Sequence, residues 1–186
     1  MGFHTFDAAR ADDLEDAGRR YRFLSAEELV GALALDDTDS VVDLGSGTGF
    51  YTDDVATHAG QVYAVDIQES MHDYYREKGV PDNVDLVTSG VDDLPFDTGS
   101  LDAAFSTMTY HEFASPDARA EIARVLGDGG TLVVVDWNAG SDGDDGPPLD
   151  ERFDAADAAS AIEDAGFDVD SLSVRAETFV VVATRV

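Results

Sequence analysis

The stretch "VVDLGSGTGFYT", Val41 to Thr52, decides the fold. A β-branched run enters Asp43, and glycine then takes every second position at Gly45, Gly47 and Gly49. Glycine in a strand-to-helix turn lets the chain reverse tightly and leaves backbone N–H groups open to a ligand, with no Cβ in the way. The next apolar run, "QVYAVD", closes on Asp66, 17 residues after Gly49. An acid there is placed to accept hydrogen bonds from both hydroxyls of a ribose. Strand, glycine turn, helix and second-strand acid together read as a nucleotide or nucleoside site.

The glycine spacing narrows the ligand. A dinucleotide turn runs G-x-G-x-x-G, its third glycine letting helix and strand pack around a pyrophosphate. Here that third position is Phe50, and the glycine comes one residue early. Asp43 lies just upstream and Asp53 and Asp54 just downstream, with no Lys or Arg nearby. A phosphate at a helix N-terminus prefers the opposite surroundings. The Gly-Lys-Ser/Thr ending of a P-loop is absent. A ligand with a ribose, an amino-acid end and no phosphate suits the turn better.

Outward from this turn, short β-branched runs alternate with helical patterns. Residues 40–44, 61–66, 84–89, 101–108 and 131–137 read as strands whose near-continuous apolar character fits a sheet buried on both faces. A helix is expected after Ser70, stopping at Gly79, and another after Ser115-Pro116, stopping at Gly127. After a Gly/Asp/Pro loop at 138–150, a helix opens on Asp154 and stops at Gly166, and two strands separated by a turn near Glu177 complete the chain. The expectation is an α/β fold with a Rossmann-like, doubly wound, seven-stranded sheet, mostly parallel with an antiparallel C-terminal hairpin strand. One domain, 1–186, divides into an N-terminal helical lid (1–40), a cofactor-binding core (41–137), a flexible loop (138–150) and a C-terminal helix and β-hairpin (151–186). Within the lid, Ser25 and Glu28 form a capping box for a helix through about Leu35. Phe3, Phe6, Leu14, Tyr21 and Phe23 precede or adjoin it in a segment also read as helical.

The 186 residues hold 40 Asp+Glu against 11 Lys+Arg, a net charge of −29, and Lys78 is the single lysine. The acids are spread evenly through amphipathic segments, which argues against a disordered acidic tail. A surface adapted to molar salt, where the Debye length falls to ~3 Å and self-repulsion is screened, explains the charge better than mimicry of nucleic acid. The composition resembles that of salt-in halophilic archaea. No basic face is available to bind nucleic acid. The absence of cysteine excludes disulfides and thiolate chemistry. No signal peptide and no membrane-length apolar run are present, so the reading is soluble and cytoplasmic, with no membrane partner. The sequence leaves the oligomeric state open.

At this point the chain resembles the class I S-adenosylmethionine-dependent methyltransferases over nearly its whole length. "VVDLGSGTGFYT" looks like their first motif, "YAVDIQESM" their second, and "GVDDLPFDTGSLDAAFSTMTYHEF" their third and fourth. "EIARVLGDGGTLVVVDW" resembles their fifth-strand region. "DWN…GPPLDERF" with the N-terminal "FD…LED…R…LSAEEL" is similar to small methyltransferases related to the quinone-biosynthesis C-methyltransferases. The resemblance implies S-adenosyl-L-methionine as cofactor and the following roles. Asp43 would orient its amino group through water or the loop backbone. Gly45, Gly47 and Gly49 would line the methionine part, Asp66 would bind the ribose, and Ile67 would lie beside the adenine. The family often has an acid near the adenine amino group where this chain has Gly90; Val91 would offer its backbone and Asp92 would take the acid's place. Thr107 would sit near the sulfonium.

Methyl transfer is an in-line displacement in which alignment supplies much of the acceleration. A general base is required only when the nucleophile arrives protonated. Candidates lie at the C-terminal ends of strands four and five, where open α/β sheets bind ligands. His111 is a base candidate or a loop histidine, and Tyr110 bounds a methyl channel or simply packs. Glu112 is a site acid or one more surface acid. Trp137 and Asn138, with Tyr21 from the N-terminal segment, are candidate substrate contacts, and Asp136 shares their rim. His4, His58 and His72 show no metal-ligand spacing, so no metal is expected, and no G-x-S-x-G elbow marks a hydrolase. The aromatic N-terminal segment favours a small-molecule methyl acceptor. A domain that binds the cofactor without transferring methyl, and a nicotinamide-dependent oxidoreductase, are the alternatives.

Overall fold

The computed structural model describes residues 6–186. Seven apolar runs form one sheet: β1 (Ser40–Leu44), β2 (Gln61–Asp66), β3 (Val84–Thr88), β4 (Leu101–Thr107), β5 (Leu126–Trp137), β6 (Phe167–Val174) and β7 (Thr178–Arg185). Their order is β3-β2-β1-β4-β5-β7-β6. Strands β1 to β5 pair in parallel, and β7 runs antiparallel to both β5 and β6. The expected seven-stranded, mostly parallel architecture is therefore present. The connections leave β1 toward β2 on one side and β4 on the other, so a crevice opens at the C-terminal ends of β1 and β4.

The central strand shows why its sequence is apolar throughout. Val41 and Val42 are both fully buried but belong to different packed layers. Successive strand residues point to opposite faces. Val42 and Leu44 pack with Ile122, Ile162 and Phe179 on one face; Val41 packs with Leu29, Tyr51 and Phe105 on the other.

Helices α1 (Ala17–Phe23), α2 (Ala26–Leu33), α3 (Phe50–Ala56), α4 (Glu69–Lys78), α5 (Tyr110–Phe113), α6 (Pro116–Val125) and α7 (Ala155–Glu163) fill the connections. Caps explain several starts: Ser25 Oγ accepts from Glu28 N, Ser115 Oγ from Ala118 N and Asp154 Oδ1 from Ala156 N. The start of α4 differs from expectation. It begins at Glu69, with Ser70 inside its first turn and no side-chain cap. The turn is organised instead by Asp66, whose Oδ1 accepts from Gln68 N at 2.8 Å. Helix α2 stops at Leu33, before Leu35, because Ala34 turns left-handed at φ +51°. Strand β5 begins at Leu126, ahead of its apolar run and of the expected Gly127 helix stop, with a register shift against β4 between Leu101 and Ala103.

The chain before α2 lies over the crevice. A 3-10 stretch, Ala8–Glu15, leads into α1, which Asp16 caps. Polar ties hold it down: Thr48 Oγ1 to Glu15 at 2.5 Å, Tyr74 Oη to Asp12 at 2.8 Å, and Gln68 Nε2 to the Phe6 carbonyl at 3.0 Å. Lys78 joins Glu15 and Asp53. Residues 1–5, which include Phe3 and His4, lie outside the described chain. Among the described residues no helix is long and apolar enough to cross a membrane.

Gly49 is the N-cap of α3 at φ +78°, and a Cβ there would stand 2.0 Å from Tyr75 Cε1. Tyr75 is fully buried, and its hydroxyl donates to Asp53 at 2.6 Å, so the ring has no cheap retreat. Gly49→Ala should cost at least about 2 kcal/mol through left-handed strain plus overpacking. The melting temperature should drop by several degrees, and a calorimetric melt matching wild type would show that this turn is not held as described.

Candidate active site

A cavity of about 280 Å³ occupies the crevice. Its walls come from Gly45–Thr48 after β1, Asp66–Gln68 after β2, Gly90–Asp92 after β3 and Thr107–Thr109 after β4, with Phe6, Leu14 and Arg20 above. Gly45, Gly47 and Gly49 all have positive φ, which only glycine adopts without strain. Gly45 N and Ser46 N both donate to the Val65 carbonyl at 2.9 Å. A Cβ on Gly45 would stand 2.4 Å from Thr109 Cγ2. Gly49 lies behind this wall, against Tyr75.

Asp66 is held in place from two directions. Oδ2 accepts from Gly47 N at 2.9 Å and Oδ1 from Gln68 N at 2.8 Å. Each carboxylate oxygen keeps a second acceptor site, which leaves two for a diol. Ile67 at the rim is 63% exposed, an apolar side chain at the cavity mouth. At Gly90 the missing side chain has a use: Asp92 Oδ1 stands 2.6 Å from where a Cβ would be, so the Asp92 carboxylate folds back over this residue. Asp43 is buried beneath the glycine turn. Its Oδ2 accepts from Thr52 Oγ1 at 2.6 Å, while Oδ1 has no hydrogen-bond partner among the described residues. Burial pushes its carboxyl up to about 7, against the Thr52 hydrogen bond and the Arg20 charge. Asp43 lines neither cavity; a glycine turn with an acid and an apolar residue at the end of the next strand fits a ligand that has a nucleoside end.

A second cavity, about 300 Å³, adjoins the first and shares Phe6, Leu14, Arg20, Met108 and Glu112 with it. Its further wall is built from Phe23, Trp137, His111, Pro147 and Glu151. Met108 marks the junction in a left-handed conformation, φ +62°, held by Met108 N donating to the Val135 carbonyl at 2.6 Å. Strained non-glycine backbone of this kind clusters at functional sites.

His111 faces this second cavity through a fixed ring. Its backbone N–H donates to Asp136 Oδ2 at 2.6 Å, and Nδ1 lies 2.9 and 3.1 Å from Oδ1 and Oδ2. Asp136 is completely buried. A carboxylate so placed requires the proton on Nδ1, which leaves Nε2 bare in the neutral ring. Nε2 stands 4.0 Å from Glu112 Oε1. Burial works against a charged His111, but the hydrogen bond and charge of Asp136, with Glu112 and Glu151, outweigh it and raise the pKa above the ordinary 6.5. Glu112 is pushed up to about 7, chiefly by burial.

The other expected contacts lie elsewhere. Tyr110 is buried in the core, its ring 5.6 Å from both Phe113 and Phe153, and lines neither cavity. Tyr21 sits on the surface with its hydroxyl donating to Asp54. Asn138 is buried, its Oδ1 accepting from Gly140 N. Trp137 does reach the second cavity, but Phe23 and Arg152 cover its ring, and Gly146 packs where a Cβ would stand 2.4 Å from the indole. Arg20 and Met108 escape a reading of the sequence. Nothing in "AGRRYRF" separates Arg20 from Arg19 or Arg22.

Residues 42–134, half of the chain, match the family described as a methyltransferase domain. The chain belongs to that family. A crystal structure of an S-adenosylmethionine-dependent methyltransferase from Aquifex aeolicus superposes with a TM-score of 0.86 at 29% identity, covering 98% of this chain and 100% of that one. The biotin biosynthesis bifunctional protein of Cellvibrio japonicus is 35% identical over 122 residues, 62% of this chain and 24% of that protein. An uncharacterized methyltransferase-like protein of Schizosaccharomyces pombe is 33% identical over 131 residues, 70% of this chain and 50% of that one. The chain thus spans half or less of these two relatives. It is an S-adenosylmethionine-dependent methyltransferase, and S-adenosylmethionine is its cofactor.

If Asp66 carries the ribose of that cofactor, Asp66→Ala should weaken S-adenosylhomocysteine binding more than tenfold, because two hydroxyls and two backbone N–H groups lose their acceptor. Titration calorimetry in molar KCl reads this directly; an unchanged Kd would remove Asp66 from the site.

Proposed function

We propose that this methyltransferase methylates a small, protic acceptor seated in the second cavity, with His111 as general base. The observation that supports this reading is the His111 ring, pinned through Nδ1 to buried Asp136 with Nε2 turned to a cavity that meets the cofactor cleft at Met108. The bound cofactor would supply an electrophilic methyl group on a sulfonium. Asp66, Ile67 and Asp92 would hold its nucleoside and the Gly45–Thr48 turn its amino-acid end, while Thr107 and Met108 flank the passage between the cavities. The acceptor's O–H or N–H, or a comparably acidic C–H, faces Nε2. As its atom bonds to the methyl carbon and the C–S electron pair leaves with sulfur, the proton passes to Nε2. Asp136 stabilises the imidazolium, and Glu112 is the next acceptor on the way out. A small molecule fits because the N-terminal segment and the 138–150 loop wall the second cavity, and a net charge of −29 disfavours a nucleic acid. An acidic hydroxyl or activated ring carbon accords with the resemblance to quinone-biosynthesis methyltransferases. The same charge supports a working environment of molar salt.

The base must be neutral to act. Since His111 titrates above 6.5, its active form appears only as pH rises through that higher value. The acid limb of kcat/KM, followed by S-adenosylhomocysteine release across a panel of phenols, hydroxy acids and amines, should therefore lie above pH 6.5. Asp136→Asn should move that limb to lower pH, and His111→Ala should cost about 10²–10⁴ in kcat while sparing cofactor Kd. A pH profile unaltered by both changes would discard the base. Parallel titrations with S-adenosylmethionine and NADH should show binding only of the former; the reverse would discard methyl transfer itself.

A further inference from the structure

Arg152 carries a guanidinium into the interior, its side chain completely buried. Such burial costs desolvation that only a full set of partners offsets. Here the partners come mostly from the loop before it. Nε donates to the Pro147 carbonyl at 2.9 Å, Nη1 to Ser141 Oγ at 2.6 Å and Nη2 to the Asp145 carbonyl. Nη1 also lies 3.5 Å from the Glu177 carboxylate. The base of the loop is closed by Ala139 N, which donates to the Phe153 carbonyl at 2.9 Å. One side chain thus gathers residues 141–147 around itself, yet it lines neither cavity.

From this loop a closed circuit of contacts runs to α1 and back. Arg152 Cζ stands 5.4 Å from the Trp137 ring centroid. Trp137 meets Phe23 edge to face at 4.9 Å. Arg22 places its Cζ 4.6 Å from the Phe23 centroid, and its guanidinium pairs with the Asp145 carboxylate. Arg19 Nη2 joins the same carboxylate at 3.4 Å. Asp145 closes the circuit, because Arg152 holds its carbonyl. The Asp145 side chain is only 25% exposed, so this latch is screened by salt less than an open surface pair. Trp137, Phe23, Gly146 and Pro147, all within the circuit or enclosed by it, are wall of the second cavity. We infer that Arg152 is a positioning residue for the methyl acceptor: it fixes Asp145 as the post to which α1 is latched, and so shapes the acceptor cavity without touching acceptor or cofactor. The inference rests on the second cavity being the acceptor's seat.

Trp137 is the only tryptophan, so the wall can be followed without any acceptor. Acrylamide should quench it poorly in wild-type protein, where the residue is 6% exposed. Asp145→Asn, at the rim of the circuit, should raise the quenching constant about twofold or more as α1 and Phe23 loosen, with the Kd for S-adenosylhomocysteine held within about threefold. Across a panel of phenols, hydroxy acids and amines, the acceptor KM should rise about fivefold with kcat little changed, on the scale of one partly buried ion pair. Arg152→Gln should exceed both effects. Arg152→Lys should not restore wild type, because an ammonium cannot reach the acceptors that a planar guanidinium spans. An Asp145→Asn protein that quenches like wild type overturns the inference, whether or not the Arg152 variants fold. So does one whose Kd for S-adenosylhomocysteine weakens in step with the quenching, since the circuit would then serve the cofactor. Raised quenching with an unchanged acceptor KM takes the acceptor out of the second cavity and the positioning role with it.

Discussion

The Asp66 carboxylate joins the two turns on which the site is built. One oxygen takes the N–H of Gly47 in the turn after β1, the other the N–H of Gln68 in the turn after β2. Parallel pairing brings the two strand ends side by side, with Leu44 opposite Val65. It does not determine how the chain leaves them. The carboxylate does, by satisfying N–H groups that neither strand nor helix provides for. The left-handed glycines make the first turn possible, and the Val65 carbonyl, taking Gly45 and Ser46, keeps it down on the sheet. Remove this arrangement and both the cleft and the start of α4 lose their shape.

Above that frame the N-terminal segment closes the cavities with polar ties rather than apolar packing alone. Thr48 to Glu15, Lys78 between Glu15 and Asp53, and Asp145 between Arg19 and Arg22 join this segment to the body. With 40 acids and 11 bases, each cation has a choice of partners, so their positions carry more information than those of the acids. Four of the eleven, Arg10, Arg19, Arg20 and Arg22, lie on the segment that covers the site. Exposed pairs of this kind are individually weak and fade with salt.

The His111–Asp136 pair depends on the neighbouring strand pair. Thr107 lies opposite Val135 in the β4–β5 ladder, which places His111, four residues beyond, over Asp136. The short α5 turns the imidazole back onto the strand end, and the positive φ of Met108 provides the bend. A carboxylate and an imidazole 25 residues apart are thus brought into hydrogen-bond contact.

Local chemistry was enough to read the sheet. β-Branched runs mark strands buried on both faces, alternate glycines mark the turn, and Ser25, Ser115 and Asp154 mark helix starts, because each signal is satisfied by neighbours a few residues away. The G-x-G-x-G spacing and Asp66 likewise pointed to a nucleoside with an amino-acid end. The start of α4 just after Gln68 was not legible, since the Gln68 N–H is taken by Asp66 on the strand. Nor could the sequence separate Tyr110, turned into the core, from His111, turned to the cavity: in a four-residue helix the direction of each side chain follows from docking. The same holds for Tyr21 and Arg20 on α1, where one ring faces solvent over Asp54 and one guanidinium faces the cleft. Composition and spacing determined the fold and the class of cofactor, because these rest on backbone periodicity. Which side chains meet the ligand was decided by tertiary structure, because a helix seven residues long has no phase until it is packed.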